Sequence, residues 1–360
     1  MARPRRSSDA EGGARYVAAK AGVSLMTVSR VFSNSNRVSE ATRRRVLEAA
    51  REVGYEPNSQ ARALRQGHSR AVAFIVASPG GLRGEFHSDT LYAFEAIISA
   101  HGMSLSLTIP DEGEKVSDLV RRLVASNAVR GAVIRFDVLP PDELSALAQI
   151  DAPIMVASHP SVGEDWVRRL GFVGFDNAAG TRAATRHLVS LGHREIAYLG
   201  GTPGWLDSMQ RETGFRSAME ECGLPVREEC VRGCDFGDGF SRGSEAMDGI
   251  LARSSPVPTA VVCASDVIAA GAMASARRWG RKVPDDLSIV GFDDNDWCIF
   301  FKPHLTTVRH KGIELGDALG RAFMARLDSP HEPMAPIILE TPLIVRESTA
   351  RPKVTATAAG

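Results

Sequence analysis

The stretch that most constrains the chain is Ala21-Gly22-Val23-Ser24-Leu25-Met26-Thr27-Val28-Ser29-Arg30-Val31. Before it, Val17, Ala18 and Ala21 recur at helical spacing, and Gly22 can take positive φ without a Cβ penalty. Ser24 is suited to cap a second helix by accepting a bond from the Met26 or Thr27 amide. On that helix Val28 and Val31 point inward, while Leu25, Met26, Thr27, Ser29 and Arg30 lie outward or at its start. Two short helices joined so tightly read as a helix-turn-helix, whose second helix enters the DNA major groove with its N-terminal residues at base edges. Taken alone, the pattern also suits an ordinary helical hairpin in a core.

The following residues decide between these readings. Ser39-Glu40-Ala41-Thr42 opens a third helix, with Val46, Ala49, Ala50 and Val53 on its apolar face and Gly54 as its stop. Gly54-Tyr55-Glu56-Pro57-Asn58, Ala61-Arg62-Ala63-Leu64-Arg65 and Gly67 come next. The run Ala19–Arg65 closely resembles the DNA-binding headpiece and hinge of the lactose-repressor (LacI) family of bacterial transcription regulators, and the resemblance continues to the C-terminus. It implies an all-α helix-turn-helix headpiece plus an α/β two-lobed, periplasmic-binding-protein-like effector domain. It also implies a cytoplasmic homodimer that represses transcription from a pseudo-palindromic operator DNA. A small-molecule effector, a carbohydrate or its derivative, releases the DNA. Neither a cofactor nor enzymatic activity is expected.

Charge distribution agrees with that division of labour. The chain of 360 residues has a formal net charge of zero, and its length suits two or three domains. Residues 1–70 nevertheless hold 14 Lys/Arg against 6 Asp/Glu, so a basic first part precedes an acidic remainder. A basic segment attracts phosphates, and the acidic remainder does not. The five cysteines, Cys222, Cys230, Cys234, Cys263 and Cys298, are odd in number and lack paired metal spacing. They read as small buried hydrophobes in a reducing compartment, with no metal site. Met1–Ser8 leads into no apolar segment, so no signal peptide is expected, and no run of 18 apolar residues suggests a membrane span.

Residues 1–13 are polar and expected to be disordered, with Gly12-Gly13 loosening the start of the first helix. The headpiece is placed at 14–57 and the hinge helix at 58–68, a segment too short to stay helical without DNA or a second copy. The effector and dimerisation domain spans 69–348. Lobe 1 covers about 69–175 and 309–339; lobe 2 covers about 176–308 and 340–348. Within it, Ala71–Ala77 is an apolar run of strand length, followed by helix Asp89–His101, strand Ser104–Ile109, helix Lys115–Ser126, strand Gly131–Arg135, a helix near Asp142–Ala148 and strand Pro153–Ala157. The alternation repeats from helix Ala178–Leu191 through strand Ser288–Phe292 and includes a short strand at Cys230–Arg232. Alternation of this kind means parallel strands with helical crossovers, and two such halves leave a cleft between them. Helix Ile313–Arg326 and two short strands end the domain, and 349–360 is expected to be a flexible tail.

The resemblance assigns roles residue by residue. Leu25 and Met26 match the base-contacting pair, which here would read apolar features such as thymine methyls. Arg30 could pair with guanine or clamp a phosphate. Ser24, Thr27, Ser29, Ser33, Ser39, Thr42 and Asn58 match phosphate-contacting positions, and Arg37 faces base or backbone. Arg43-Arg44-Arg45 reads more simply as a solvated, attractive helix face. Leu64, with Ala61 and Arg65 beside it, matches a wedge that opens a base step from the minor groove. In the body, Arg211 matches the arginine that grips effector, Asp293 its carboxylate partner and Phe236 a stacking aromatic; such a fork and carboxylate suit vicinal hydroxyls. Ser265 stands where many members carry Asn. Phe86 and His87 are the counterparts of a segment that here is longer, and Ser158, Arg135 and Trp205 also depart from the usual residues.

Two other readings fit less of the chain. A sugar-binding transport protein shares the two-lobed fold, but it would need a signal sequence and would lack residues 14–67. A Rossmann-like enzyme would need a phosphate-binding glycine motif, yet Leu199-Gly200-Gly201 lacks the third glycine and no nucleophile–base set is evident. The hinge assignment is directly testable. Leu64→Ala should lower specific DNA affinity while leaving headpiece folding and the salt slope intact, because a wedge touches no phosphate. Unchanged affinity together with an unchanged bend in a circular-permutation gel would remove the wedge.

Overall fold

The computed structural model describes residues 10–32, 37–55, 69–77, 84–138, 140–159, 169–330 and 332–353. The chain divides at Arg70/Ala71 into two compact units. The first contains α1 (Ala10–Ala21), α2 (Leu25–Phe32) and α3 (Glu40–Glu52). Their shared core is Val17, Ala18, Ala21, Val28, Val31, Val46, Ala49 and Ala50. α1 starts at Ala10, inside the segment expected to be disordered. Within it Gly13 packs on the Tyr55 ring: a Cβ there would come within 2.7 Å of it.

The second unit is built on two sheets. The first comprises β1 (Ala71–Ala77), β2 (Ser104–Thr108), β3 (Gly131–Phe136), β4 (Ile154–Ala157), β5 (Phe172–Phe175) and β11 (Ile337–Leu339), in the order β11-β5-β4-β3-β1-β2 and parallel throughout. Around it lie α4 (Glu85–Ala100), α5 (Val116–Ala125) and α6 (Pro141–Leu147). The second sheet comprises β6 (Ile196–Gly200), β7 (Val231–Gly233), β8 (Ala260–Cys263), β9 (Ser288–Asp293), β10 (Thr306–Arg309) and β12 (Leu343–Ile344). Its order is β12-β10-β9-β8-β6-β7, with only β12 antiparallel. α7 (Asn177–Ser190), α8 (Leu206–Glu221), α9 (Gly239–Arg253) and α10 (Asp266–Arg278) connect its strands. β1 and β4 are buried from end to end or nearly so, as parallel strands covered on both faces must be.

After β10 the chain crosses back, and α11 (Gly312–Asp328) buries Leu315, Leu319 and Phe323 against Phe74, Phe94 and Val173 of the first lobe. β11 then joins the first sheet beside β5, and β12 returns to the second. Each lobe is therefore completed by chain that has already left it.

Several details differ from the sequence reading. β5 was passed over: Phe-Val-Gly-Phe is four residues long with an internal glycine, and Gly174 lies against the Ser158–His159 backbone, where a Cβ would meet atoms at 2.5 Å. α4 begins at Glu85, four residues early, and β7 begins one residue later than expected. The beginning of the expected flexible tail at 349–360 is tied down. The Ala350 carbonyl accepts from His193 Nε2 at 2.8 Å, the Ala350 amide donates to Ser288 Oγ at 3.0 Å, and Lys353 pairs with Asp286 at 2.6 Å. Residues 354–360 lie outside the described residues.

α11 meets α4 along a seam of glycines four residues apart, Gly312, Gly316 and Gly320. A Cβ at Gly316 would sit 2.3 Å from the Thr90 carbonyl oxygen. Gly316→Ala should therefore destabilise the second unit by about 1–3 kcal/mol through overpacking. Gly249→Ala on α9, where a Cβ meets nothing within 4 Å, should be neutral or slightly stabilising by helix propensity. Urea unfolding of both variants checks the contrast; equal losses would show that the seam is not close-packed.

Candidate functional site

The first unit offers one candidate surface. Gly22 turns the chain at φ 64°, and the Val23 amide donates to the Ala18 carbonyl at 3.0 Å. Ser24 Oγ then caps α2 by accepting from the Thr27 amide at 3.2 Å and bonds Thr27 Oγ1 at 2.9 Å. The same pair recurs at α3, where Ser39 accepts from the Thr42 amide at 3.3 Å and the two hydroxyls lie 2.9 Å apart. Val28 and Val31 fill the core, and Leu25, Met26 and Arg30 remain on the exposed side of α2, with Met26 62 % exposed. Ser29 is half-buried, and Arg37 is exposed just before α3. Arg43 departs from the expected solvated face: it is half-buried and donates to the Val31 carbonyl at 3.2 Å, tying α3 to the end of α2. Ser33, Asn58, Ala61, Leu64 and Arg65 lie outside the described residues.

The second candidate is the cleft between the two sheets, at the carboxyl ends of their strands. Arg211 projects from α8 and is buried. Its Nε donates to Asn177 Oδ1 at 3.0 Å, and its Nη1 donates to the Ala264 carbonyl and to Asp293 Oδ1, the latter at 3.4 Å. The guanidinium lies 3.7 Å from the Phe292 ring centroid and 5.7 Å from that of Phe236, so aromatic faces compensate part of its lost hydration. Phe236 is seated on Gly201, where a Cβ would come within 2.0 Å of the ring, and Trp205 packs beside it at 5.9 Å. Asp293, at the end of β9, has φ 114°. Burial pushes its carboxyl up to about 8, which Arg211 opposes and the Asp266 charge reinforces.

From the first lobe, Arg135 on β3 reaches across to Asp207 on α8 at 3.1 Å and lies 3.7 Å from Asp137 of its own lobe. The Leu206 amide donates to the Asp137 carbonyl at 2.8 Å, a second bond across the cleft. Burial alone would raise the Asp207 carboxyl, but the Arg135 and Arg211 charges hold it down at about 2. Phe86 and His87 stand on the first turn of α4. Phe86 stacks on His310 at 4.4 Å, and His310 also packs against Phe175 at 4.2 Å. Burial and then Arg135 lower His87 to about 4, and burial with Arg211 drives His310 well below the ordinary histidine range. Both rings are neutral near pH 7.

Of the residues assigned from sequence, Phe86, His87, Arg135, Arg211, Phe236, Trp205 and Asp293 are thus brought together. Ser158 is buried at the end of β4, where Gly174 approaches its backbone. Ser265 is buried and caps α10, accepting from the Ile268 amide at 3.1 Å. Asn177, Asp207 and His310 were missed. Asp207 precedes Arg211 by one helical turn, a spacing that could have found it; Asn177 follows only from α7 lying against α8. His310 carries no local signal, since only the crossing after β10 brings it to Phe86.

No helix among the described residues is long and apolar enough to cross a membrane. The family model for bacterial regulatory proteins of the lacI family matches residues 15–58, and that for a periplasmic binding protein-like domain matches 185–349. The HTH-type transcriptional repressor CytR of Escherichia coli (strain K12) is 33 % identical over 333 residues, covering 92 % of this chain and 95 % of the repressor. Among solved structures, a lac repressor dimer bound to operator and the anti-inducer ONPF superposes with a TM-score of 0.80 at 25 % identity, covering 93 % of this chain and 98 % of that one. The complex of the transcriptional regulator CelR with cellobiose gives 0.68 at 28 %, covering 96 % and 100 %. A shared helix-turn-helix, a shared two-lobed body and one-third identity across nearly the whole length have a single explanation: the chain belongs to the lacI family of bacterial regulatory proteins.

Proposed function

We propose that this regulator is a cytoplasmic homodimeric repressor that binds a pseudo-palindromic operator and is released by a sugar or sugar derivative held in the cleft. The observation that carries the DNA reading is α2, whose buried valines fix it in the headpiece while Leu25, Met26 and Arg30 stay on its outer side. Apolar side chains at the start of such a helix suit thymine methyls, and Arg30 suits guanine or a phosphate. Ser24, Thr27, Ser39 and Thr42 lie at helix N-termini, where hydroxyls and amides suit phosphate oxygens.

A second copy is the occupant assigned to the apolar stripe Ile299-Phe300-Phe301, of which Phe300 is 69 % and Phe301 71 % exposed. Three consecutive exposed apolar side chains of this size are unusual on a monomer. A two-fold dimer presents two headpieces, which matches a pseudo-palindrome.

In the cleft, Arg211, Asn177 and Asp293 offer donors and acceptors at one depth, with Phe236 and Trp205 as apolar flanks. Ligand alters DNA binding by favouring one arrangement of the lobes over another. CelR is known in complex with cellobiose, a sugar of the class proposed here.

Selection of duplexes from a random pool with the full chain should yield two-fold related half-sites, and sedimentation should find two chains per duplex. Raising salt from about 50 to about 200 mM should weaken binding by orders of magnitude. A single chain on DNA, or salt-independent binding, would contradict the proposal. For the cleft, Arg211→Ala and Asp293→Ala should each weaken effector response at least ~10-fold, since each loss strands a partner at a cost of about 1–3 kcal/mol. DNA affinity without effector should persist. Titration of cellobiose, ribose and related sugars against the operator complex measures this; variants that respond at wild-type concentrations would show both residues to be structural.

A further inference from the structure

The charges of the cleft are matched to one another before any ligand arrives. Arg135 meets Asp207 at 3.1 Å and Asp137 at 3.7 Å, and Arg211 meets Asp293 at 3.4 Å. Asp207 is further engaged by Asn177 Nδ2 at 3.2 Å, and the same amide donates to Gln210 Oε1 at 3.1 Å. His87 and His310 are neutral and add no positive charge. Among the described residues the cleft therefore presents two guanidiniums against three carboxyl groups.

Two buried polar atoms there have no hydrogen-bond partner among the described residues, Arg135 Nε and His310 Nδ1. The first can only donate; the second donates or accepts according to the tautomer. Buried polar groups left open in this way are completed by ligand or water. The carboxylate oxygens beside them accept hydrogen bonds, from Arg135 and Asn177 at Asp207 and from Arg211 at Asp293. A hydroxyl group donates and accepts at once, whereas a phosphate dianion offers only acceptors and would confront the Asp207 and Asp137 carboxylates with like charge.

We infer that the cleft takes an uncharged polyhydroxylated ligand, an unphosphorylated sugar or glycoside, and rejects phosphorylated counterparts because Asp207 occupies the guanidinium of Arg135. The inference deepens, and rests on, the reading of the cleft as the effector site. A phosphate that took the place of Asp207 on Arg135 would leave that carboxylate enclosed and without its cation, which is the costly half of a broken buried pair. Asp207 is thus a specificity-determining residue, and the pair that spans the two lobes is also the device that selects ligand charge.

The experiment uses the full chain, thermal denaturation and three matched pairs: glucose with glucose 6-phosphate, ribose with ribose 5-phosphate, and cellobiose with cellobiose 6-phosphate. Inorganic phosphate is a further probe. A small-molecule bacterial extract, passed over an anion-exchange resin, supplies an unretained and a retained fraction. Wild type should be stabilised by an uncharged member or by the unretained fraction, and by no phosphorylated probe. Asp207→Asn, which keeps the shape and frees Arg135, should gain a response to inorganic phosphate and sugar phosphates that wild type lacks. Asp137→Asn should shift in the same direction, and adding Arg135→Ala should abolish the gain. Stabilisation of wild type by a phosphorylated probe or by the retained fraction, lost on Arg135→Ala, would overturn the inference while leaving an effector site. Folded Asp207→Asn and Asp137→Asn proteins with no gain would overturn it as well. If neither fraction nor any pair member moves wild type, the effector reading itself fails, and the inference with it.

Discussion

The buried guanidinium of Arg211 is the group on which the geometry of the cleft depends. An unpaired charge in that position would be expensive, so its surroundings are fixed by what it requires. Asn177 of α7, the Ala264 carbonyl after β8 and Asp293 after β9 each accept from it, and Phe292 lies beneath its plane. The start of α7 and the carboxyl ends of β8 and β9 are thereby held to one point. Any ligand that competes for Asp293 or Asn177 acts on that whole set, because the guanidinium cannot give up a partner without gaining another.

From this point the architecture extends in two directions. Toward the first lobe, Asn177 and Arg211 orient Asp207, and Asp207 holds Arg135 across the cleft. Away from the cleft, buried Asp266 accepts from Thr307, from the Asn295 amide and side chain and from Cys298 Sγ. Those bonds fix the turn that runs from Asp293 to the exposed stripe at Ile299–Phe301. One buried carboxylate therefore sets both the position of Asp293 in the cleft and the surface assigned to a second copy. A change at either end is transmitted through a loop that has few alternative arrangements.

How much of this was legible in the sequence follows from the range of the interactions. The headpiece is local: Gly22, Ser24 and the valines determine their own turn, cap and core within a dozen residues, and the reading needed nothing from afar. Strands such as Ala71–Ala77 announce themselves because burial on both faces demands an unbroken apolar run. β5 does not, since four residues with a central glycine carry too little signal, and its glycine is required only by the backbone of β4 alongside. α1 and the segment 349–353 were misjudged for the same reason: Gly13 is accommodated by Tyr55 and Ala350 by His193, both distant in sequence. In the cleft, Arg211, Asp293 and Phe236 came from resemblance to a family pattern. His310 entered only with the fold, because the second passage of the chain between lobes, after β10, brings it to Phe86 and Phe175.

The backbone at the heart of the cleft is strained, and the strain has an identifiable support. Asp293 and Asp294 are consecutive non-glycine residues at φ 114° and 56°, a combination that costs free energy unless the surroundings impose it. Asp294 is buried, bridged by Arg309 at 3.1 Å and by Arg346, while its amide donates to Thr307 Oγ1 at 3.4 Å. Arg309 ends β10, Thr307 lies within it, and Arg346 follows β12, so the clamp is assembled from the two strands that flank the crossings between lobes. Relaxing the turn would release Asp293 from Arg211 and at the same time strip Asp294 of both guanidiniums. A glycine at either position would remove the strain but also the carboxylate: one meets Arg211 in the cleft, the other holds the crossing strands. The chain keeps the strained pair because each aspartate fills a site that the other cannot reach.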